Sequence, residues 1–133
     1  MRFARYTFAA AGTIGIIVLV PMYFLLERTG VDNPPPVTHP EFYYGFIGVA
    51  LAFQIVFLII ATDPIKYRPL MLAAIVEKFA FVIPTFYLYW QGRVAGSIIG
   101  GAALDLLWGV LFVASYFTIA KIETIDVVND LEN

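Results

Sequence analysis

The chain has 133 residues, enough for one compact unit, and it is 61% apolar, 17% aromatic and only 14% charged. A soluble domain is about 45–50% apolar and about 25% charged, and a small domain cannot bury such an excess of apolar surface, so lipid must be its solvent. The net charge of −2 argues against nucleic acid as a partner, and the lack of cysteine excludes disulfides and thiolate chemistry. The single histidine, His39, has only Glu41 near it in sequence, whereas zinc takes three or four protein ligands, so we expect no metal and no cofactor.

Four stretches are long and apolar enough to cross a bilayer as helices, which takes about 20 residues each. Their predicted bounds are residues 8–26, 42–61, 70–90 and 97–119. These stretches are apolar on every side, whereas the strands of a membrane barrel alternate polar and apolar residues. The sequence therefore predicts an all-α, polytopic four-helix bundle that forms a single transmembrane domain over residues 1–133.

The basic residues predict the orientation of these spans. On one side of the spans lie Arg2, Arg5, Lys66, Arg68 and Lys121, and on the other side only Arg28 and Arg93. The positive-inside rule then places both termini in the cytoplasm of a multi-pass protein of the cell inner (plasma) membrane. Between the first two spans, residues 27–41 are expected to form an outer segment, in which three consecutive prolines favour an extended, stiff conformation. The acidic tail from Glu123 is expected to fray.

Three polar residues from three different spans fall at one depth in the membrane. By the rise per residue of a helix, Gln54, Glu77 and Asp105 all lie near the bilayer midplane. An ionisable group there costs at least about 2.5–3.5 kcal/mol on insertion scales, so these side chains are expected to face the bundle interior and one another. Lys78 lies at the same depth but about 100° around its helix from Glu77. It either reaches Asp105 or faces another subunit.

The polar cluster has three open interpretations. It is a hydrogen-bonded lock that sets helix register, a polar pocket for a lipid-like ligand, an ion or a proton, or a charge that binds a partner subunit. The candidate ligand-binding residues are Gln54, Glu77, Lys78, Asp105 and Trp108, the last because it lies one turn beyond Asp105. Should the protein be an enzyme, the catalytic candidates are the two carboxylates.

Small residues four apart predict where helices approach closely. The pairs are Ala11 and Gly15 in the first span, and Gly48 and Ala52 in the second. Gly101 and Gly109 flank Asp105 at the same spacing in the fourth span. The face of the fourth span that carries Asp105 is therefore expected to be an interior face.

The motif His39-Pro-Glu-Phe-Tyr-Tyr-Gly-Phe, the proline-bracketed turn from Asp63 to Pro69, and the acids Glu77 and Asp105 carry a resemblance. In these features the chain resembles small bacterial four-helix membrane proteins with a DoxX-like layout. Its four spans with buried acids are also similar in architecture to the EXPERA group, which includes sterol isomerases and sterol-binding receptors. No catalytic residue of that group aligns with this chain, so the resemblance implies a fold and no activity.

Three functions compete at this point. The favoured one is a non-enzymatic binding protein or accessory subunit, associated with membrane lipid and with copies of itself or a larger membrane complex. The second is an isomerase-like enzyme that modifies a lipid, with Glu77 or Asp105 as acid or base. The third is a small transporter of protons or solutes.

Overall fold

The structure is a computed structural model that describes the backbone of residues 1–131 and the side chains of residues 1–122 and Thr124. Over this part of the chain it is all-helical, without strands. The helices are α1 (Arg2–Met22), α2 (Leu26–Asp32), α3 (Pro40–Thr62), α4 (Arg68–Trp90) and α5 (Gly96–Leu131).

Four of these helices are long and apolar enough to cross a membrane. They comprise Arg2–Met22, Pro40–Thr62, Arg68–Trp90 and the segment Gly96–Ile122 of α5. At about 1.5 Å per residue, each of them spans the roughly 30 Å of a bilayer core. The prediction of an all-α protein with four apolar spans is therefore confirmed.

The first span begins and ends earlier than predicted, at Arg2 and Met22 instead of residues 8 and 26. The arginines are part of the helix, and Arg5 donates from Nη2 to the Thr62 carbonyl at 3.0 Å, which satisfies its charge at the end of the span. At the other end, the Tyr43 hydroxyl donates to the Met22 carbonyl at 2.8 Å and so satisfies an acceptor that the helix end leaves open.

The segment between the first two spans begins with a short helix, α2, which the sequence did not predict, and the three consecutive prolines follow that helix. Thr29 stabilises this helix from inside: its hydroxyl donates to the Leu25 carbonyl at 2.8 Å and contacts the Tyr43 hydroxyl at 3.3 Å. The tail that the sequence predicts to fray is helical as far as Leu131, since α5 continues that far. Adding a residue to an existing helix gains a hydrogen bond without a new nucleus, which favours this continuation. Residues 132–133 lie outside the described part.

The spans pack as two hairpins. Helix α1 packs mainly against α3, and α4 packs mainly against α5, while thinner contacts of α1 with α5 and of α3 with α4 close the ring. The Arg5–Thr62 hydrogen bond shows that the start of α1 lies beside the end of α3. We call this end of the bundle the termini end, and the opposite end the α2 end.

The core is dense at the termini end. Its centre is an aromatic cluster of Phe8, Phe57 and Phe112, all fully buried. Phe8 stacks on Phe112 with ring centroids 4.2 Å apart, and Phe57 meets Phe112 edge-on at 4.9 Å. Buried aliphatic residues from all four spans surround these rings, among them Ile60, Met71 and Ile119. Dispersion contacts and close shape fit hold helices together where lipid removes the hydrophobic driving force.

Small residues lie where the helices approach one another most closely, although some of the small residues predicted to do so do not. A Cβ at Gly15 would overlap the Gln54 amide, so α1 and α3 touch there as expected. A Cβ at Gly109 would lie 3.1 Å from the Phe79 ring, which brings α5 onto α4. The prediction for Gly48 and Ala52 is wrong at Ala52, which is exposed because Ile47, Gln54 and Phe57 turn another face of α3 inward. A Cβ at Gly48 would lie 3.5 Å from the Tyr23 hydroxyl.

Candidate functional site

The three charged residues predicted at the midplane form one ion cluster, defined as Glu77, Lys78 and Asp105. Lys78 is 5% exposed, and its Nζ lies 2.9 Å from Asp105 Oδ1 and 3.1 Å from Glu77 Oε2. Of the two outcomes left open for Lys78, the structure therefore shows the contact with Asp105. The Lys78 ammonium also lies 5.3 Å from the centre of the Phe57 ring, whose face attracts a cation.

Helices α4 and α5 lie close enough for Lys78 of α4 to contact Asp105 of α5. Gly109 lies one turn beyond Asp105, and a Cβ there would be 3.4 Å from the Lys78 Cβ. A larger residue would push the helices apart and lengthen the Lys78–Asp105 pair. The side chains of Glu77 and Asp105 are 16% and 24% exposed, and both line the cavity described below while they face one ammonium.

Gln54 lies opposite the ion cluster, on α3, and is 3% exposed. Its Nε2 donates to the Ala50 carbonyl at 2.9 Å, one turn back on the same helix. An amide has two donor hydrogens and one acceptor oxygen. The second N–H and the Oε1 have no hydrogen-bond partner among the described residues, so Gln54 retains capacity for another polar group.

A cavity of about 410 Å³ lies between the two hairpins, and all four spans line it. Every predicted ligand-binding residue reaches it: Gln54, Glu77, Lys78, Asp105 and Trp108. Most of the remaining lining is aliphatic or aromatic. Small-molecule sites commonly measure about 300–1,000 Å³ and combine apolar walls with a few convergent polar groups, which is the character of this cavity.

The cavity has a floor towards the termini end. Ala11, Gln54 and Trp108 line its deepest part, and the aromatic cluster follows about one helical turn further on. The three phenylalanine rings of that cluster are fully buried and in mutual contact, with Phe8 and Phe57 centroids 6.1 Å apart. Across the described residues, the cavity therefore ends at the ion cluster and does not continue through the bundle.

Two seams between the hairpins flank the cavity, and they differ. On the α3–α4 side, the Phe46 and Phe81 rings lie 5.7 Å apart and bridge the seam, with Phe46 itself 45% exposed. On the α1–α5 side, the lining residues Val18 and Leu104 remain 51% and 41% exposed. A Cβ at Gly101, also on this side, would meet nothing within 4 Å.

At the α2 end, the chain crosses the mouth of the cavity. Met22, Tyr43 and Ser97 line the cavity there. Thr29 contacts the Tyr43 hydroxyl, and Ser97 donates to the Asn33 side-chain oxygen at the end of α2. Helix α2 is therefore fastened to α3 at one point and to α5 at another.

The sequence missed most of the apolar wall. Phe46 and Ala50 lie two turns and one turn before Gln54, and Ile98 lies two turns before Asp105. The helical spacing from the polar residues would have identified them. The structure does not bring His39 to the cavity, since this exposed residue pairs with Glu41 at 3.1 Å. Among the described side chains, no group of three or more His, Cys, Asp or Glu residues is placed to hold a metal ion.

In comparisons with known proteins, no family model matches the chain, and neither a curated protein nor a solved structure does. The likeness to DoxX-like chains and to the architecture of the EXPERA group therefore stays a prediction.

Proposed function

We propose that the chain is a non-enzymatic membrane binding protein whose interior cavity takes a small lipid-like molecule. The observation that carries this proposal is the cavity of about 410 Å³ with apolar walls and a floor of Gln54 and the ion cluster. Apolar walls suit the body of such a ligand, and the floor offers both donors and acceptors to its polar end.

Binding is favoured over transport because the cavity ends inside the bundle. A transport path needs access from both membrane faces, and the aromatic cluster of Phe8, Phe57 and Phe112 fills the bundle below the floor. Binding is favoured over catalysis because each carboxylate already faces the Lys78 ammonium, at 2.9 and 3.1 Å. A general acid or base must reach the proton that it transfers, and both carboxylates are already engaged with Lys78.

Native mass spectrometry of the protein released from membranes tests the proposal. We expect an adduct of lipid-like mass on the wild-type chain. Gly101→Leu fills the cavity and should abolish the adduct. Gly100→Leu is the matched control: Gly100 is exposed and does not line the cavity, and a Cβ there also meets nothing within 4 Å. Equal adducts on both variants would refute a ligand in this cavity.

The same experiment separates binding from catalysis. If the adduct is released chemically changed, and Glu77→Gln stops that change while the ligand still binds, the isomerase-like alternative replaces the binding function. We also propose that the protein associates with itself or with a larger membrane complex. Its mass in mild detergent tests this association, and a monomer would count against it.

The orientation is part of the proposal as well. We infer that both termini face the cytoplasm and that α2 faces outward across the cell inner membrane, because basic residues concentrate at the termini end. The chain has no cysteine, so single cysteines placed at Ser97 and Lys66 report accessibility without background. A membrane-impermeant thiol reagent applied to intact cells should label the first position and spare the second. The reverse pattern would invert the topology.

A further inference from the structure

The open seam between α1 and α5 has an apolar rim. Ile14 and Val18 form its α1 side, Gly101 and Leu104 its α5 side, and all four line the cavity. Ile14, Val18 and Leu104 are 41%, 51% and 41% exposed, although they belong to the cavity wall. The rim carries no charge, and it is continuous with the exposed apolar surface of the same spans.

The other ways into the cavity are each crossed by side chains or by the chain itself. Towards the termini end, Phe8 stacks on Phe112 at 4.2 Å, so α1 and α5 meet there and separate only beyond that level. The α3–α4 seam is bridged by the Phe46 and Phe81 rings. The aqueous mouth is crossed by α2, which is fastened by the contacts of Thr29 and Asn33.

Resting on the proposed function, we infer that the α1–α5 seam is a side portal through which a single-chain amphiphile enters from the bilayer, polar end first. The polar end lies at the floor, against Gln54 and the ion cluster, because these are the groups in the cavity that offer hydrogen bonds at depth. The tail lies along the rim, where the cavity surface joins the lipid-facing surface. A cavity of about 410 Å³ is near the small end of the usual range of ligand sites, which selects one chain over two.

Trp108 provides the reporter for the polar end, because it lines the floor one turn from Asp105. The only other tryptophan is Trp90, which is 80% exposed, so Trp90→Phe leaves a single indole at the floor. Bromine quenches indole emission at near contact. In nanodiscs of unbrominated zwitterionic lipid, a fatty alcohol brominated beside its hydroxyl should quench Trp108 strongly. The same alcohol brominated at its methyl end should quench weakly.

Two valines on α1 test the route. Val18→Cys places a thiol on the rim, and Val20→Cys places one at a similarly exposed position, 44%, that does not line the cavity. A bulky maleimide on the rim cysteine should slow the onset of quenching severalfold, whereas the same label at the control position should leave it unchanged. Equal rates at the two positions would overturn the side portal.

The outcomes separate the inference from the function on which it rests. Absence of quenching by either alcohol in the unlabelled protein would refute the binding function itself. Quenching that is stronger from the methyl end would refute the polar-end-first orientation. Equal quenching by a phospholipid with brominated chains would refute the single-chain class while leaving the cavity a binding site.

Discussion

Lys78→Met tests whether the ion cluster compensates its own charge. The substitution keeps the length of the side chain and its packing over the Phe57 ring, and it removes the cation that lies 2.9 and 3.1 Å from two carboxylates. Because Lys78 is 5% exposed, little solvent is present to replace it. Removing one partner of a buried pair costs about 3–5 kcal/mol, whereas the coupling energy between two intramembrane polar groups averages well under about 2 kcal/mol.

The expected loss for Lys78→Met is therefore about 3 kcal/mol or more in the free energy of unfolding. Reversible unfolding by sodium dodecyl sulfate in mixed micelles, followed by tryptophan emission, measures it. The triple variant that adds Glu77→Gln and Asp105→Asn leaves no ionised group at this depth, so it should recover most of the loss. Lys66→Met, at an exposed lysine in the turn before α4, is the matched control and should change stability by no more than about 0.5 kcal/mol. If Lys78→Met and Lys66→Met have the same free energy of unfolding, the Lys78 ammonium does not stabilise the two carboxylates, and the reasoning fails.

Three further predictions use the same unfolding assay or hydrogen exchange. Gly15→Ala should cost about 1–3 kcal/mol because its methyl group would overlap an amide of α3, whereas Gly45→Ala, at an exposed position with open space, should be neutral or stabilising. Phe8→Ala should cost about 3–5 kcal/mol, since it removes a fully buried ring from the aromatic cluster; a loss below that of an average surface change would contradict the packed floor. Asn33→Ala removes the contact with Ser97 and should speed amide exchange in α2 without affecting α4. If α2 exchanged at the wild-type rate in the variant, this contact would not hold α2 in place.

Hydropathy was sufficient to predict the number and type of the spans, because a run of about 20 apolar residues has few stable arrangements other than a membrane helix. Hydropathy did not predict where the spans begin and end. Arg2 and Arg5 were placed outside the first span because they are charged, but a long side chain at a helix end can satisfy its charge while its backbone stays helical. Similarly, residues 27–41 contain three prolines that suggest extended chain, and the helix α2 forms in the part that precedes them.

The convergence of the polar residues was predictable from depth alone, because the rise per residue is nearly constant and charged groups avoid lipid. The partner of Lys78 was not, because its long side chain can swing to either side of its helix. The cavity was not predictable either. Gly101 was interpreted as a point of close helix contact, whereas the structure has open space at that position. The volume of the cavity depends on the distance between the two hairpins, and the spacing of residue types along the sequence does not indicate that distance.

The division of the bundle into an α1–α3 half and an α4–α5 half bears on biogenesis. The three ionisable groups of the ion cluster, Glu77, Lys78 and Asp105, all belong to the second half. The first half is N-terminal and enters the membrane earlier. When the second half leaves the translocon, its own lysine can pair with its own acids before the two halves pack together, so the insertion penalty of isolated charges is relieved within one pair of helices. Assembly then joins two helical hairpins that are already stable in lipid. The space left between them is the cavity in which the proposed ligand can lie.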